Sequence, residues 1–191
     1  HIKAGWRSMF EVPMYGKFIS FTSFLKARRL KALSIPANFL VYLTNALLVP
    51  FRRRHIYSLV VCDNICEIKG LDEFLELWTK ENPIALIKNK EFYRWRLGAP
   101  CSEYIIICLK EKSTSDILGF AITRITIKED VRCLAILDYC LLKETRKFTD
   151  DLLWQIETVA KENACELILF MVQNHKAKDY RLLRNGFLKT P

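Results

Sequence analysis

From residue 56 onward the chain alternates short apolar runs with segments whose apolar residues recur at helical spacing. Residues 56–62 are rich in β-branched side chains and end at Asp63-Asn64, which predicts a strand closed by a turn. Leu71, Phe74, Leu75 and Trp78 fall at i, i+3, i+4 and i+7, one face of a helix, and Asn82-Pro83 stops it. Residues 90–97 predict a second, shorter helix, with Trp95 in the core and Arg94 and Arg96 in solvent. Three strands follow. Residues 104–110 are almost wholly apolar, and residues 117–128 alternate Ile122, Arg124, Thr126 and Lys128, giving one wet face. Glu129-Asp130 is a two-residue hairpin turn, so residues 131–142 run back and complete an antiparallel meander.

The next segment is a helix that Thr149 or Asp150 can cap, with Leu152, Leu153, Ile156, Val159 and Ala160 as its buried stripe and Asn163 at its end. Residues 166–172 form a short apolar strand without polar alternation, as expected for a strand covered on both faces. Residues 175–184 predict a last helix, halted at Asn185-Gly186 where glycine can take positive φ, and a strand begins at Phe187. This order predicts an α/β (α+β) domain over residues 56–191, with a mixed, mostly antiparallel central sheet flanked by helices. Residues 1–55 read as a separate basic segment and connector.

Charge sharpens that division. The net charge is +9, and residues 1–61 hold ten Lys and Arg against the single acid Glu11, while the remainder carries twenty of each sign. A protein-wide nucleic-acid surface is therefore not expected. Within the connector, Lys26, Arg28, Arg29 and Lys31 precede, and Arg52, Arg53 and Arg54 follow, an apolar stretch interrupted by Pro36 and Pro50. It falls short of the about 20 apolar residues of a bilayer span. It suits a helix lying on an anionic lipid surface through residues 18–54, or one packed on its own domain.

Seven cysteines, most of them inside apolar runs, read as reduced, packed thiols of a cytoplasmic chain. Cys62 and Cys66 have no second ligand pair, and His1, His55 and His175 are far apart, so no metal site is expected. Asp138 is conspicuous between Leu137 and Tyr139. Burial in an apolar strand would raise a carboxyl toward the range of a general base, whereas simple alternation would point it to solvent.

The string NHKAKDYRLLRNGF at residues 174–187 resembles the GNAT-type N-acetyltransferase superfamily, in which a helix opens with Asn, continues with Ala and Tyr, and closes on Gly-Phe before a strand. Here those positions are Asn174, Ala177, Tyr180, Gly186 and Phe187. NKEFYRWRLGAP at residues 89–100 is similar to the Trp-Arg helix of GNAT proteins built from two tandem halves. Ala4-Gly5-Trp6-Arg7, followed by Val12-Pro13-Met14-Tyr15, parallels Asn185-Gly186-Phe187-Leu188, as if the N-terminal segment ended a preceding half.

The resemblance implies acyl transfer from acetyl-CoA or another acyl-CoA to an amine or hydroxyl acceptor, by direct attack on the thioester. It implies that the strand at 131–142 splays from that at 166–172, leaving the backbone of Tyr139, Cys140, Leu141 and Leu142 to the pantetheine arm. Arg146, Lys147 and Thr149 would hold the pyrophosphate beside a helix N-terminus, with Asn174 completing the cofactor contacts. Tyr180 would protonate the leaving thiolate and Asp138 would take the acceptor's proton.

Two departures from the family pattern are visible. Residues 144–149 contain no glycine, so Cβ atoms crowd the phosphate cradle, and Asp150-Asp151 compete with an anion. Counting back four residues from Gly186 selects Leu182 in place of Tyr180. These departures keep open a GNAT-fold binding module without catalysis.

Overall fold

The computed structural model describes residues 12–27, 30–48, 57–83, 87–98 and 103–190. Its elements are β1 (Met14–Phe18), α1 (Thr22–Ala27), α2 (Ser34–Leu48), β2 (Tyr57–Cys62), α3 (Leu71–Glu81), α4 (Lys90–Leu97), β3 (Ile105–Glu111), β4 (Ile117–Lys128), β5 (Val131–Leu141), α5 (Thr149–Glu162), β6 (Leu167–Met171), α6 (Asn174–Asp179) and β7 (Leu188–Lys189). The strands form one seven-stranded sheet in the order β2-β3-β4-β5-β6-β1-β7. Every neighbouring pair is antiparallel except β5 and β6.

The meander over β3, β4 and β5 forms as its pattern requires. Glu129 and Asp130 both adopt positive φ, 51° and 63°, the left-handed pair of a type I′ hairpin that follows the sheet twist. One face of the sheet packs Leu134, Ile136, Tyr139 and Leu141 against Leu152, Leu153, Ile156 and Val159 of α5. The other packs Ile106, Cys108, Phe120, Ile122, Cys140 and Leu142 against Leu71, Phe74, Leu75 and Trp78 of α3 and Tyr93 of α4. Cys108, Cys133, Cys140 and Cys165 are buried free thiols.

Four local expectations are corrected. In α4 the buried aromatic is Tyr93, fully enclosed, while Trp95 is 78% exposed. Asn89 caps this helix by accepting from the Phe92 N–H at 2.7 Å, and that start turns Tyr93 onto α3 and Trp95 outward. Residues 175–184 are not one helix. The chain leaves α6 at Tyr180, passes through Arg181 at φ 49°, and re-forms a 3₁₀ turn at Leu183–Asn185 that Gly186 closes at φ 80°. Neither Thr149 nor Asp150 caps α5, because a 3₁₀ turn over Glu144–Phe148 runs directly into it. Phe187 is a buried core residue, and the strand after it is the two-residue β7.

The basic N-terminal segment is not wholly outside the sheet. β1 inserts between β6 and β7, pairing Met14↔Met171 through Phe18↔Leu167 on one side and Tyr15↔Lys189 on the other. After β1, Asn38 of α2 ties the connector helices together, accepting from the Phe21 N–H at 2.7 Å and donating to Thr22 Oγ1 at 3.1 Å. Ile35, Phe39 and Tyr42 of α2 are exposed. No helix among the described residues is long and apolar enough to cross a membrane.

Candidate active site

The ladder between β5 and β6 covers Cys133↔Leu167 to Ile136↔Phe170 and ends there. β5 continues to Leu141, still paired with β4 on its other side, while β6 stops at Met171 and the chain turns into α6. The β6-facing edge of β5 is therefore out of the sheet ladder from Leu137 onward. Past that point the Tyr139 N–H donates to Asp138 Oδ1 at 2.9 Å and the Leu142 N–H to Thr145 Oγ1 at 3.0 Å, and an extended ligand arm can pair with the rest of this edge.

A β-bulge sits where the strands part. The β4–β5 register passes from Thr123↔Ile136 to Ile122↔Asp138, so Leu137 is the extra residue. Before the bulge Leu134 and Ile136 face α5; after it Tyr139 and Leu141 do, and Cys140 turns to the α3/α4 side. Asp138 shares that side. Its Oδ1 lies 2.5 Å from Lys88 Nζ and its Oδ2 accepts from the Tyr93 hydroxyl at 2.8 Å. Lys88 also lies 3.5 Å from Cys140 Sγ and 4.4 Å from the centre of the Trp78 ring. Desolvation pulls the Lys88 ammonium down, but the negative charge beside it outweighs that pull and holds it above the ordinary lysine value. Burial first, then Cys140 and Asp138, push the Tyr93 phenol up, and burial does the same to the Cys140 thiol. Asp138 Oδ1 also accepts from the Tyr139 N–H at 2.9 Å, so this enclosed side chain has three nitrogen and oxygen donors in place.

Tyr180 is buried on the opposite face. Its ring packs 4.7 Å from that of Tyr139 and 6.1 Å from that of Phe170, which places it beneath the parting strands. Burial raises its phenol, so the group keeps its proton at neutral pH. The Tyr139 hydroxyl donates to the Thr149 carbonyl at 3.2 Å, fixing the start of α5 against β5. Asn174, the first residue of α6, accepts from the Tyr15 hydroxyl at 2.8 Å, so its side chain is engaged by β1.

The glycine-free run differs from an open cradle. The Thr145 and Arg146 N–H groups donate to the Leu142 and Lys143 carbonyls, the Lys143 N–H donates to Glu81 Oε2, and the Thr149 N–H returns to the Arg146 carbonyl. Amides that would surround a diphosphate are spent within the turn or on Glu81 of α3. Positive charge remains: Arg146 is half-exposed 3.4 Å from Asp179, and Lys147 lies over the Phe148 ring. Asp150 is held by Arg181 at 3.3 Å and Asn185 at 2.8 Å. The Thr149 hydroxyl is fully buried and has no hydrogen-bond partner among the described residues. The edge of β5 would take the extended arm of an acyl-CoA, and Arg146 and Lys147 would meet its phosphates with side-chain charge where a glycine loop uses amides. Among the described residues no group of three or more His, Cys, Asp or Glu could hold a metal ion.

The site brings Asp138, Tyr139, Cys140, Leu141 and Leu142 together with the Arg146–Thr149 turn, and sets Tyr180 under the same gap. Sequence reasoning missed Lys88, Tyr93 and Trp78. Lys88 lies in an unpatterned stretch between α3 and α4, and nothing local ties it to a strand fifty residues later.

No protein-family model matches the chain, and no curated protein does. Solved structures do. Glucosamine-6-phosphate N-acetyltransferase from Arabidopsis thaliana is similar with a TM-score of 0.52 at 13% identity, over 71% of this chain and 93% of that one. A GNAT family acetyltransferase from Staphylococcus aureus matches with a TM-score of 0.52 at 17% identity, over 71% and 94%. An aminoglycoside acetyltransferase from an uncultured soil metagenomic sample, solved with sisomicin, matches with a TM-score of 0.53 at 8% identity, over 71% and 90%. The mostly antiparallel sheet with its parallel, parting central pair is the GNAT acetyltransferase fold, and this chain has it.

Proposed function

We propose that the chain is an acyl-CoA-dependent N-acyltransferase that transfers the acyl group by direct attack on the thioester. The observation that carries this reading is the end of the β5–β6 ladder at Ile136↔Phe170 while β5 runs on. In it, the backbone of residues 139–142 holds the pantetheine arm as an added strand. Arg146 and Lys147 face the diphosphate, and the Thr149 hydroxyl finds its partner there. The acceptor amine enters from the α3/α4 side and gives its proton to Asp138, and the departing thiolate takes one from Tyr180. Calorimetric titration with acetyl-CoA and longer acyl-CoAs tests it. Saturable binding is expected, and no heat up to millimolar ligand overturns it.

A second reading has its own support in the spent amides of residues 143–149: a GNAT-fold module that has lost cofactor binding. The same titration separates the two, since tight acyl-CoA binding by the unaltered chain refutes it.

A peripheral membrane role in the cytoplasm rests on Ile35, Phe39 and Tyr42, exposed on α2 between the two basic clusters of the sequence. Co-sedimentation with anionic vesicles, lost for neutral vesicles and for Phe39→Glu, is the expected result. Equal partitioning to both vesicle types counts against it.

A further inference from the structure

Lys88 is placed in a way that a surface lysine is not. Its side chain is 14% exposed, reaches β5 from the α3–α4 connection, and ends on the carboxylate to which the proposed function assigns the acceptor's proton. Asp138 Oδ1, Cys140 Sγ and the Trp78 ring surround the nitrogen at 2.5, 3.5 and 4.4 Å. These are contacts an acceptor ammonium would need: a carboxylate for its charge and proton, and an aromatic face. They lie at the bulge where β5 leaves the ladder.

Resting on the proposed acyl-CoA reading, we propose that Lys88 is itself an acyl acceptor, modified on Nζ by a thioester bound along the open edge of β5. The ammonium passes one proton to the Asp138 carboxylate, and the neutral amine attacks the thioester carbonyl. The new C–N bond forms as the C–S bond breaks, and the second proton lost by the attacking nitrogen passes to the leaving thiolate, which departs as free CoA. No oxidant or further reactant is needed. Tyr93, on the other carboxylate oxygen, is a positioning residue that keeps Asp138 aimed at Lys88. The product is a neutral amide at Lys88, which ends the ion pair and leaves a polar N–H beside Asp138.

Selectivity distinguishes this from ordinary chemical acylation, which favours exposed amines such as Lys112 and Lys128. The folded chain is incubated with acetyl-CoA, digested, and each lysine's occupancy is read by mass spectrometry, with acetyl-CoA binding measured in parallel by calorimetry. Acetyl occupancy at Lys88 about tenfold above that at Lys112 or Lys128 is expected, because the advantage of a positioned amine exceeds the cost of deprotonating an ammonium held above its ordinary value. Prior unfolding in urea should erase the preference, and so should Asp138→Asn. Tyr93→Phe, which keeps the ring, gives a second variant should Asp138→Asn fail to fold, and it should lower the Lys88 rate. Acetyl-CoA binding without Lys88 modification overturns this inference and leaves the proposed function standing. Absence of acetyl-CoA binding overturns both. A pattern that merely follows exposure overturns it as well.

Discussion

Lys17 and Glu157, 140 residues apart in the chain, form a buried ion pair of 2.7 Å between β1 and α5, with Lys161 on the other oxygen of the carboxylate. A strand from the basic N-terminal segment is thereby fixed to the helix that covers the sheet. Removing one partner of a buried pair strands the other, so Lys17→Ala should cost about 3 kcal/mol, at the low end of such losses because Lys161 remains. Urea unfolding monitored by circular dichroism measures this, and an unchanged midpoint would contradict the assignment.

The same pair sets an acid dependence. Burial would raise the Glu157 carboxyl, but Lys17 and Lys161 hold it below its ordinary 4.5. A lowered carboxyl adds stability that is complete above its unfolded pKa, and that stability is lost as pH falls through the folded value. The wild type should therefore lose stability from about pH 4.5 downward, and Lys17→Ala should lose less over the same interval. Melting temperatures between pH 7 and pH 3 decide it.

Gly119 lies opposite Leu141 in the β4–β5 register, and an added Cβ would come within 2.3 Å of Leu141 Cδ2 and 3.0 Å of the Cys140 carbonyl oxygen. The leucine end can rotate, but the carbonyl belongs to the strand that frames the proposed arm site. Gly119→Ala should cost about 1–3 kcal/mol and weaken acyl-CoA binding together with stability. Loss of stability with unaltered affinity would separate this end of β5 from the ligand.

Tyr180 packs through its ring, so Tyr180→Phe should change unfolding free energy by less than about 1 kcal/mol. If its hydroxyl protonates the thiolate, turnover should fall about a hundredfold with the Kd for acyl-CoA unchanged. Equal turnover would return Tyr180 to a packing role.

Where side-chain charge replaces backbone amides, phosphate affinity becomes sensitive to salt. Arg146→Ala and Lys147→Ala should each weaken CoA binding about tenfold, as expected for a charged hydrogen bond. Both losses should shrink as salt is raised. Dephospho-CoA and pantetheine titrations then tell which part of the ligand each residue meets.

Local periodicity made much of this legible. The α5 stripe of Leu152, Leu153, Ile156, Val159 and Ala160 is buried as its spacing requires, and the Glu129-Asp130 turn is where alternation changes direction. Trp95 was misplaced because an eight-residue helix with aromatics at 92, 93 and 95 has no unique apolar face until Asn89 sets its start. The site was legible as far as its backbone strand and turn. The Lys88–Asp138 contact was not, since it depends on how the α3–α4 connection crosses the sheet, a long-range packing outcome without a local signature.

The insertion of β1 between β6 and β7 means that neither terminal stretch of the sheet is finished by neighbouring sequence. During synthesis β6 has a waiting partner already made, whereas β1 must stay unzipped until its partners emerge from the ribosome. Such a strand, joined to the rest by a connector, can in principle be supplied as a separate peptide. Residues 57–190 with a synthetic 12–20 segment would make a split reporter whose reassembly reads out the integrity of the far sheet edge.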